Sequence, residues 1–310
     1  MAACNAAPYL SEAIGSVLGQ TMRDWELICV DDGSKDRTRE IAEEFARRDS
    51  RVRVLSRGNT GPAIARNEAV AAARGGLIAI LDADDVSLPG RLAAQAEFLR
   101  LHPDVVCVGS RVLVIDQDGD PIDVFRVPLN HDEIDRHHVQ RGQGGAIMHS
   151  AAMMRASVLR GAGGYRARFQ PAEDLDLWLR IAELGRLANL EEVLVRYRLN
   201  PHGLSFTTRS LQNQNANAAV LEARARRGLG ELPPPNNSWN PNPVDILRAA
   251  VHSSSREGFW VSAQKYSRRL IRRQPHRLLG WRVFALSTLR RAFSRVAAPA
   301  AAERRGQADG

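Results

Sequence analysis

The sequence predicts an α/β protein: a doubly wound, mostly parallel sheet followed by a small helical C-terminal appendage. Three observations carry that expectation. Two apolar runs, Glu26 to Val30 and Leu77 to Leu81, each stop on aspartates. Segments with helical spacing of apolar residues lie between such runs. Past residue 231 the composition turns first to proline and asparagine, then to arginine. Strands covered on both faces read as unbroken apolar runs, and strand–helix alternation builds a parallel sheet.

The elements follow in order. Residues 8–22 read as a helix, with Pro8 near its start and Leu10, Ile14, Val17 and Leu18 at helical spacing. Glu26 to Val30 is a buried strand that turns at Asp31-Asp32-Gly33-Ser34. Helix 36–48 takes Asp36 as N-cap and sets Ile41 and Phe45 four residues apart. Arg51 to Leu55 is a second strand. Gly61 to Ala73 is an alanine-rich helix that Gly75-Gly76 ends. Leu77 to Leu81 is a third strand, followed by a helix over about 88–101 and a strand from Val105. Val112–Ile115 and Ile122–Val127 form a hairpin around Gln117-Asp118-Gly119-Asp120. Ala146 to Met154 is apolar without a clear period. Glu173 to Leu184 is a helix that offers Leu175, Trp178, Leu179 and Ile181 to a core, Val193 to Arg198 is a strand, and 209–228 is a helix. These elements divide the chain into a large domain (1–231), a linker (232–243), a basic helical appendage (244–296) and a disordered tail (297–310).

Bulk properties narrow the function. Three cysteines (Cys4, Cys29, Cys107) without CxxC spacing argue against a disulfide framework and a zinc site, and fit a reducing, cytoplasmic compartment. There is no run of 18 uncharged apolar residues, so no membrane span is expected, and no signal-peptide pattern opens the chain. Net charge is +8, yet residues 232–310 hold 14 Lys+Arg against 4 Asp+Glu, while the rest holds 29 against 31. The basic surplus belongs to the appendage, and no nucleic-acid motif accompanies it, so nucleic acid is not expected as a partner. Only Lys35 and Lys265 are lysines; the other basic residues are arginine.

Two acidic clusters lie at strand ends, where ligands gather in open α/β sheets. Asp82-Ala83-Asp84 places two carboxylates on one side of an extended segment. They suit a hard divalent cation shared with substrate phosphates; as plain polar residues they would only cap the next helix or solvate a turn. Asp31-Asp32 could recognise a base or ribose, or simply form the turn. Glu173-Asp174 opens a helix, either to complement its dipole or to supply a general base. His202, after the last strand, and His149 each read as ligand or structural residue.

Together these residues resemble the family 2 inverting glycosyltransferases, which have the GT-A fold. The resemblance rests on Asn5-Ala6-Ala7-Pro8-Tyr9-Leu10, Ser16 to Gln20, Trp25 to Ser34, Asn59-Thr60-Gly61 through Ala65-Arg66-Asn67, Leu81 to Asp85, Gly163-Gly164-Tyr165, Glu173 to Trp178, and Tyr197-Arg198, in family order across about residues 4–206. It implies a nucleotide-diphosphate sugar as donor, Mg²⁺ or Mn²⁺ as cofactor, and a glycan or lipid-linked acceptor, in cell-envelope polysaccharide or glycolipid synthesis. Asp31 would contact the base, with Asp32 beside it. Asp82 would lie near ribose and diphosphate, and Asp84 would bind the metal. Asp174 would be the catalytic base with Glu173 beside it. His202 would approach the metal, and Arg66 would support the donor pocket.

The sequence departs from this pattern at its start. Only Met1 to Cys4 stand where an apolar first strand is expected, so that strand reads as missing and a start upstream of Met1 is expected. Rival readings are a nucleotidyltransferase, whose Gly-rich phosphate loop is not visible, and an impaired relative that only binds nucleotide sugar. In the appendage, 259–273 and 278–296 pair aromatic and apolar stripes with arginines. They read as ordinary packed helices or as peripheral contacts with the inner face of a membrane.

Overall fold

The structure, a computed structural model, describes residues 1–141, 144–200, 203, 207–230 and 243–290. It places them in two compact units. The first comprises 1–113 and 125–237; the second comprises 114–124 and 238–310.

The first unit is an α/β sandwich. Its strands are β1 (Ala2–Ala3), β2 (Leu27–Asp32), β3 (Val52–Arg57), β4 (Leu77–Ala79), β5 (Val86–Ser87), β6 (Val105–Ile115), β7 (Pro121–Phe125), β8 (Met153–Arg155) and β9 (Arg186–Arg198), of which β6 and β7 run on into the second unit. Its helices are α1 (Ala7–Leu18), α2 (Thr38–Arg48), α3 (Pro62–Ala72), α4 (Arg91–Leu101), α5 (His131–Arg141), α6 (Ala156–Gly161), α7 (Glu173–Ile181) and Arg209–Arg226. Strands β1-β2-β3 pair in parallel. A second sheet runs β4-β8-β6-β9-β5, with β4/β8, β6/β8 and β5/β9 antiparallel. Parallel order is thus concentrated in the N-terminal sheet.

The strand expected to be missing is present in short form. Ala2 and Ala3 register with Val30 and Asp31, and the Val30 N–H donates to Met1 O at 2.9 Å. They cover part of the edge of β2, which would otherwise expose unpaired backbone. The Asp36 expectation also shifts. Helix α2 starts at Thr38, and Asp36 Oδ1 accepts the Thr38 N–H at 3.0 Å while Arg37 takes the cap position.

The core explains the sequence pattern. Leu27, Cys29 and Val52 pack with Leu10, Ile14 and Val17 of α1, and Leu81 and Ala83 enter the same cluster. Helix α7 buries Leu175, Leu177, Trp178, Leu179 and Ile181, each worth about 1.5–3 kcal/mol of burial. Trp178 and Ile181 pack with Ile78, Ile80, Val106 and Met154. The middle and last turns of α7 therefore share a core with β4, β6 and β8.

The second unit holds the hairpin tip between β6 and β7, helices Pro243–Arg256 and Trp260–Arg273, and a helix at 278–290. Its centre is ionic. Lys265 Nζ donates to Asp116, Asp118 and Asp120 at 2.5, 2.7 and 2.6 Å, and the Tyr266 hydroxyl donates to Asp116 Oδ2 at 2.6 Å. Burial alone would lower the Lys265 pKa; its bonds to the three carboxylates outweigh that and raise it. A compact ammonium with three rotatable donors suits this cage better than a planar guanidinium. The linker expected at 232–243 and the tail expected at 297–310 fall on or almost wholly on positions outside the described residues.

Candidate active site

The site is built on the segment that follows β4. The sequence suggests a strand over Leu77 to Leu81 followed by an extended Asp82-Ala83-Asp84, but β4 ends at Ala79 and Asp82–Asp85 is a turn closed by Asp85 N–H to Asp82 O at 3.2 Å. Aspartates favour such turns because their short side chains accept nearby N–H groups. Several groups hold the turn. Ser150 Oγ accepts the Asp82 N–H at 2.9 Å. The buried Arg91 donates to Ile80 O at 2.7 Å and to Ala152 O at 3.1 Å. Arg198 donates its backbone N–H to Asp85 Oδ1 at 2.7 Å, its Nε–H to Asp84 O at 2.8 Å, and a guanidinium N–H to Glu12 Oε2 at 2.5 Å. Gln20, 1 % exposed, donates to Leu88 O at 2.8 Å and anchors the chain just beyond.

From this turn a polar bridge crosses to α7. One Arg66 nitrogen donates to Asp82 Oδ1 at 2.9 Å, and another donates to Glu173 Oε1 at 2.5 Å. His149 Nδ1 lies 3.4 Å from Asp82 Oδ2, and its Nε2 lies 3.0 Å from the Tyr165 hydroxyl. Asn67 holds both peptide groups of Tyr165 at 2.8 Å. That close approach needs Gly164: its φ is +66°, and a Cβ there would stand 2.5 Å from Asn67 Oδ1. Asp174 sits beside this bridge, half-buried, with Oδ1 accepting the Leu175 N–H at 2.8 Å.

The carboxylates differ in electrostatics. Burial alone would push Asp82 up, but Arg66 and then His149 hold it well below the usual range. Asp84 is raised by burial and by the charge of Asp82, while Asn200 Nδ2, donating to Asp84 Oδ2 at 3.3 Å, opposes the rise. Asp174 is raised by burial and by Glu173, with His149 and Arg66 opposing. A fixed ionised carboxylate and a neighbour with raised pKa are how one pocket divides roles between like groups.

On the other side, Asp31 and Asp32 end β2 and are buried. Asp32 is committed to the backbone: Oδ1 accepts the Thr60 N–H at 2.9 Å and Oδ2 accepts the Gly61 N–H at 2.8 Å. It holds the loop that opens α3. Asp31 accepts the Ser34 N–H at 3.3 Å. Gly33, at φ +71°, lets this loop pass Asn59, where a Cβ would stand 2.6 Å from the Asn59 nitrogen.

Residues 1–162, more than half of the chain, match the family model Glycosyl transferase family 2. The chain is a family 2 glycosyltransferase. It is 35% identical over 228 residues to EpsE of Bacillus subtilis, spanning 72% of this chain and 79% of EpsE. It is 33% identical over 198 residues to the O-antigen biosynthesis glycosyltransferase WbnJ of Escherichia coli, spanning 62% and 75%. The mannosyltransferase PcManGT of Pyrobaculum calidifontis, solved with GDP-Man and Mn²⁺, aligns with a TM-score of 0.55 at 20% identity, over 93% of this chain and 78% of that one. The GT-A fold and glycosyltransferase activity follow, in a family whose members include enzymes of polysaccharide synthesis.

The glycosyltransferase structure gathers Arg66, Asp82 and Glu173 into one bonded set, with Asp84 and Asp174 as electrostatic neighbours. His202 lies outside the described residues. Sequence reasoning gave no role to Arg198, Arg91, Ser150 or Tyr165, and left His149 open. A signal existed for Arg198, which follows Tyr197 at the end of the last strand. Among the described residues, the three carboxylates placed closely enough to share a cation are Asp116, Asp118 and Asp120, and Lys265 already fills that role. No helix among them is long and apolar enough to cross a membrane.

Proposed function

We propose that this chain transfers a sugar from a nucleoside-diphosphate donor to an acceptor hydroxyl with inversion at the anomeric carbon. The observation that carries the reading is the bonded bridge Asp82–Arg66–Glu173, which ties the donor-side turn to the helix turn bearing Asp174. Asp174 takes the proton of the acceptor hydroxyl. The oxygen forms a bond to the anomeric carbon, and the bond to the diphosphate breaks with its electron pair leaving on the diphosphate. Both events on opposite faces of one carbon give inversion. Asp31 reads the base, and Asp32 keeps its loop in place.

The donor set at the turn fits a hard divalent cation. Asp84 is raised by burial and then by the negative charge of Asp82, and a cation between the two would relieve both. Asp84, with Asp82 beside it, would hold Mg²⁺ or Mn²⁺, which would stabilise charge on the departing diphosphate. PcManGT was solved with Mn²⁺, which supports this assignment. The test is a panel of nucleotide sugars with Mn²⁺, Mg²⁺ or EDTA, read by nucleoside-diphosphate release and by NMR of the product's anomeric configuration. Release that needs the metal, with an inverted product, is expected. A retained configuration would refute the mechanism.

The acceptor is a glycan or a lipid-linked glycan, consistent with the O-antigen role named for WbnJ, and the enzyme works in the cytoplasm at the inner face of the membrane. Helix 278–290 exposes Leu278, Trp281 and Leu289 at 71%, 50% and 57%, beside exposed Arg282 and Arg290. An apolar stripe flanked by arginines fits an anionic bilayer surface. In flotation with anionic vesicles the full chain should co-migrate. A Leu278→Ser, Trp281→Ser, Leu289→Ser triple variant should stay behind. Equal behaviour of the two would remove the membrane reading.

A further inference from the structure

We propose that His149 is a positioning residue for transfer: it braces the carboxylate of Asp82 against the wall that carries Asp174. His149 and Ser150 are consecutive, and both hold Asp82. Ser150 Oγ accepts the Asp82 N–H at 2.9 Å, and His149 Nδ1 meets Asp82 Oδ2 at 3.4 Å. A carboxylate only accepts, so Nδ1 carries the hydrogen of that contact; Nε2 lies 3.0 Å from the Tyr165 hydroxyl. The ring stands edge-on to Tyr165 at 5.7 Å and tilted on Trp178 of α7 at 6.1 Å.

Asp82 therefore has two struts. Oδ1 reaches α7 through Arg66 and Glu173; Oδ2 reaches it through His149, with Tyr165 and Trp178 behind the ring. The first strut is ionic. The second is an imidazole ring held by a hydroxyl that is itself buried, since Tyr165 is 2 % exposed and Asn67 clamps its backbone. Two unlike struts on one carboxylate fix its plane as well as its position. In-line displacement demands this, because misplacement of about 1 Å can cost a hundredfold in rate. Removing the second strut frees the Asp82 carboxylate to rotate about Arg66. Donor affinity, spread over many contacts, changes little, while the reactive alignment suffers.

The inference rests on Asp174 being the base, so the test includes Asp174→Asn. His149→Ala should lower kcat by about a hundredfold with donor KM and nucleoside-diphosphate affinity little changed. His149→Asn, which restores an N–H toward Asp82, should recover a large part of that loss. Tyr165→Phe removes only the hydroxyl and should lower kcat in the same direction. Added to His149→Ala it should cost nothing further, because its partner is gone. A His149→Ala enzyme with wild-type kcat, beside an inactive Asp174→Asn, overturns the inference and leaves the base in place. Independent, additive losses at 149 and 165 overturn it as well. An active Asp174→Asn overturns the base assignment instead. If His149→Ala does not fold, His149→Asn and Tyr165→Phe decide: unchanged kcat in both, with unchanged melting temperatures, refutes the brace.

Discussion

Asp174→Asn is expected to reduce transfer by about 10²–10⁴-fold, the range of a lost general base, while nucleoside-diphosphate binding persists. The change keeps shape and removes a proton acceptor. It leaves the surrounding bonds intact, because Asp174 accepts only the neighbouring Leu175 N–H at 2.8 Å among the hydrogen bonds of the described residues, whereas Glu173 is the group tied to Arg66. Glu173→Gln should behave differently: the bridge weakens and donor binding falls with rate. The pH profile gives a second reading. Burial and Glu173 raise the Asp174 pKa, and the base works only when ionised. Activity should therefore rise with pH through a limb above the ordinary aspartate value of about 3.9, and Asp174→Asn should lack that limb. Near-normal turnover of Asp174→Asn by single-turnover kinetics would remove the assignment.

Arg198→Leu should be the most damaging change away from the reacting groups. Arg198 is 4 % exposed, packs its guanidinium 4.7 Å above the Tyr9 ring, and holds Asp84 O and Glu12. Its backbone bond to Asp85 survives the substitution, but Asp84 loses the positive charge that opposes the rise of its pKa. Glu12 is exposed and adds little, while leaving the Asp84 carbonyl without its donor costs about 1–3 kcal/mol. Thermal or denaturant unfolding should show a loss of that order. Metal-dependent release of nucleoside diphosphate should fall further than instability explains, because the turn that presents Asp84 loses its clamp. A folded Arg198→Leu protein with normal activity would show that the turn holds its shape without Arg198.

The residues that sequence alone made legible are those with local causes. Strand β2 and helix α7 form close to where the pattern places them, with β2 running on through Asp31-Asp32 and α7 ending at Ile181 rather than Leu184. The hairpin around Asp118-Gly119 followed from turn chemistry. Asp82, Asp84 and Asp174 stand out by position alone, at a strand end and a helix start, where turn and dipole roles compete with ligand roles. What escaped depends on distant pairing. Arg198 and Asp85 are 113 residues apart in sequence, and Arg66 and Glu173 are 107 apart. No period or spacing encodes such contacts. Strand β9 begins at Arg186 rather than at Val193, since Glu191 and Glu192 break the apolar pattern on its exposed side. The turn at Asp82 was read as extended because the run Leu77 to Leu81 continues past the last paired residue, Ala79: Leu81 is apolar to fill the core beside α1, not to extend a ladder.

Two lysines in a chain otherwise served by arginine meet opposite fates. The Lys265 amine is enclosed by three carboxylates and held protonated, so it offers no free electron pair to an acylating reagent. Lys35 is exposed on the loop after Asp31-Asp32, where its own N–H bonds Asn5. Amine chemistry, apart from the chain's terminal amine, therefore marks one place. A fluorophore or cross-linker attached through lysine will sit beside Asp31 and report on that loop, leaving the appendage unlabelled.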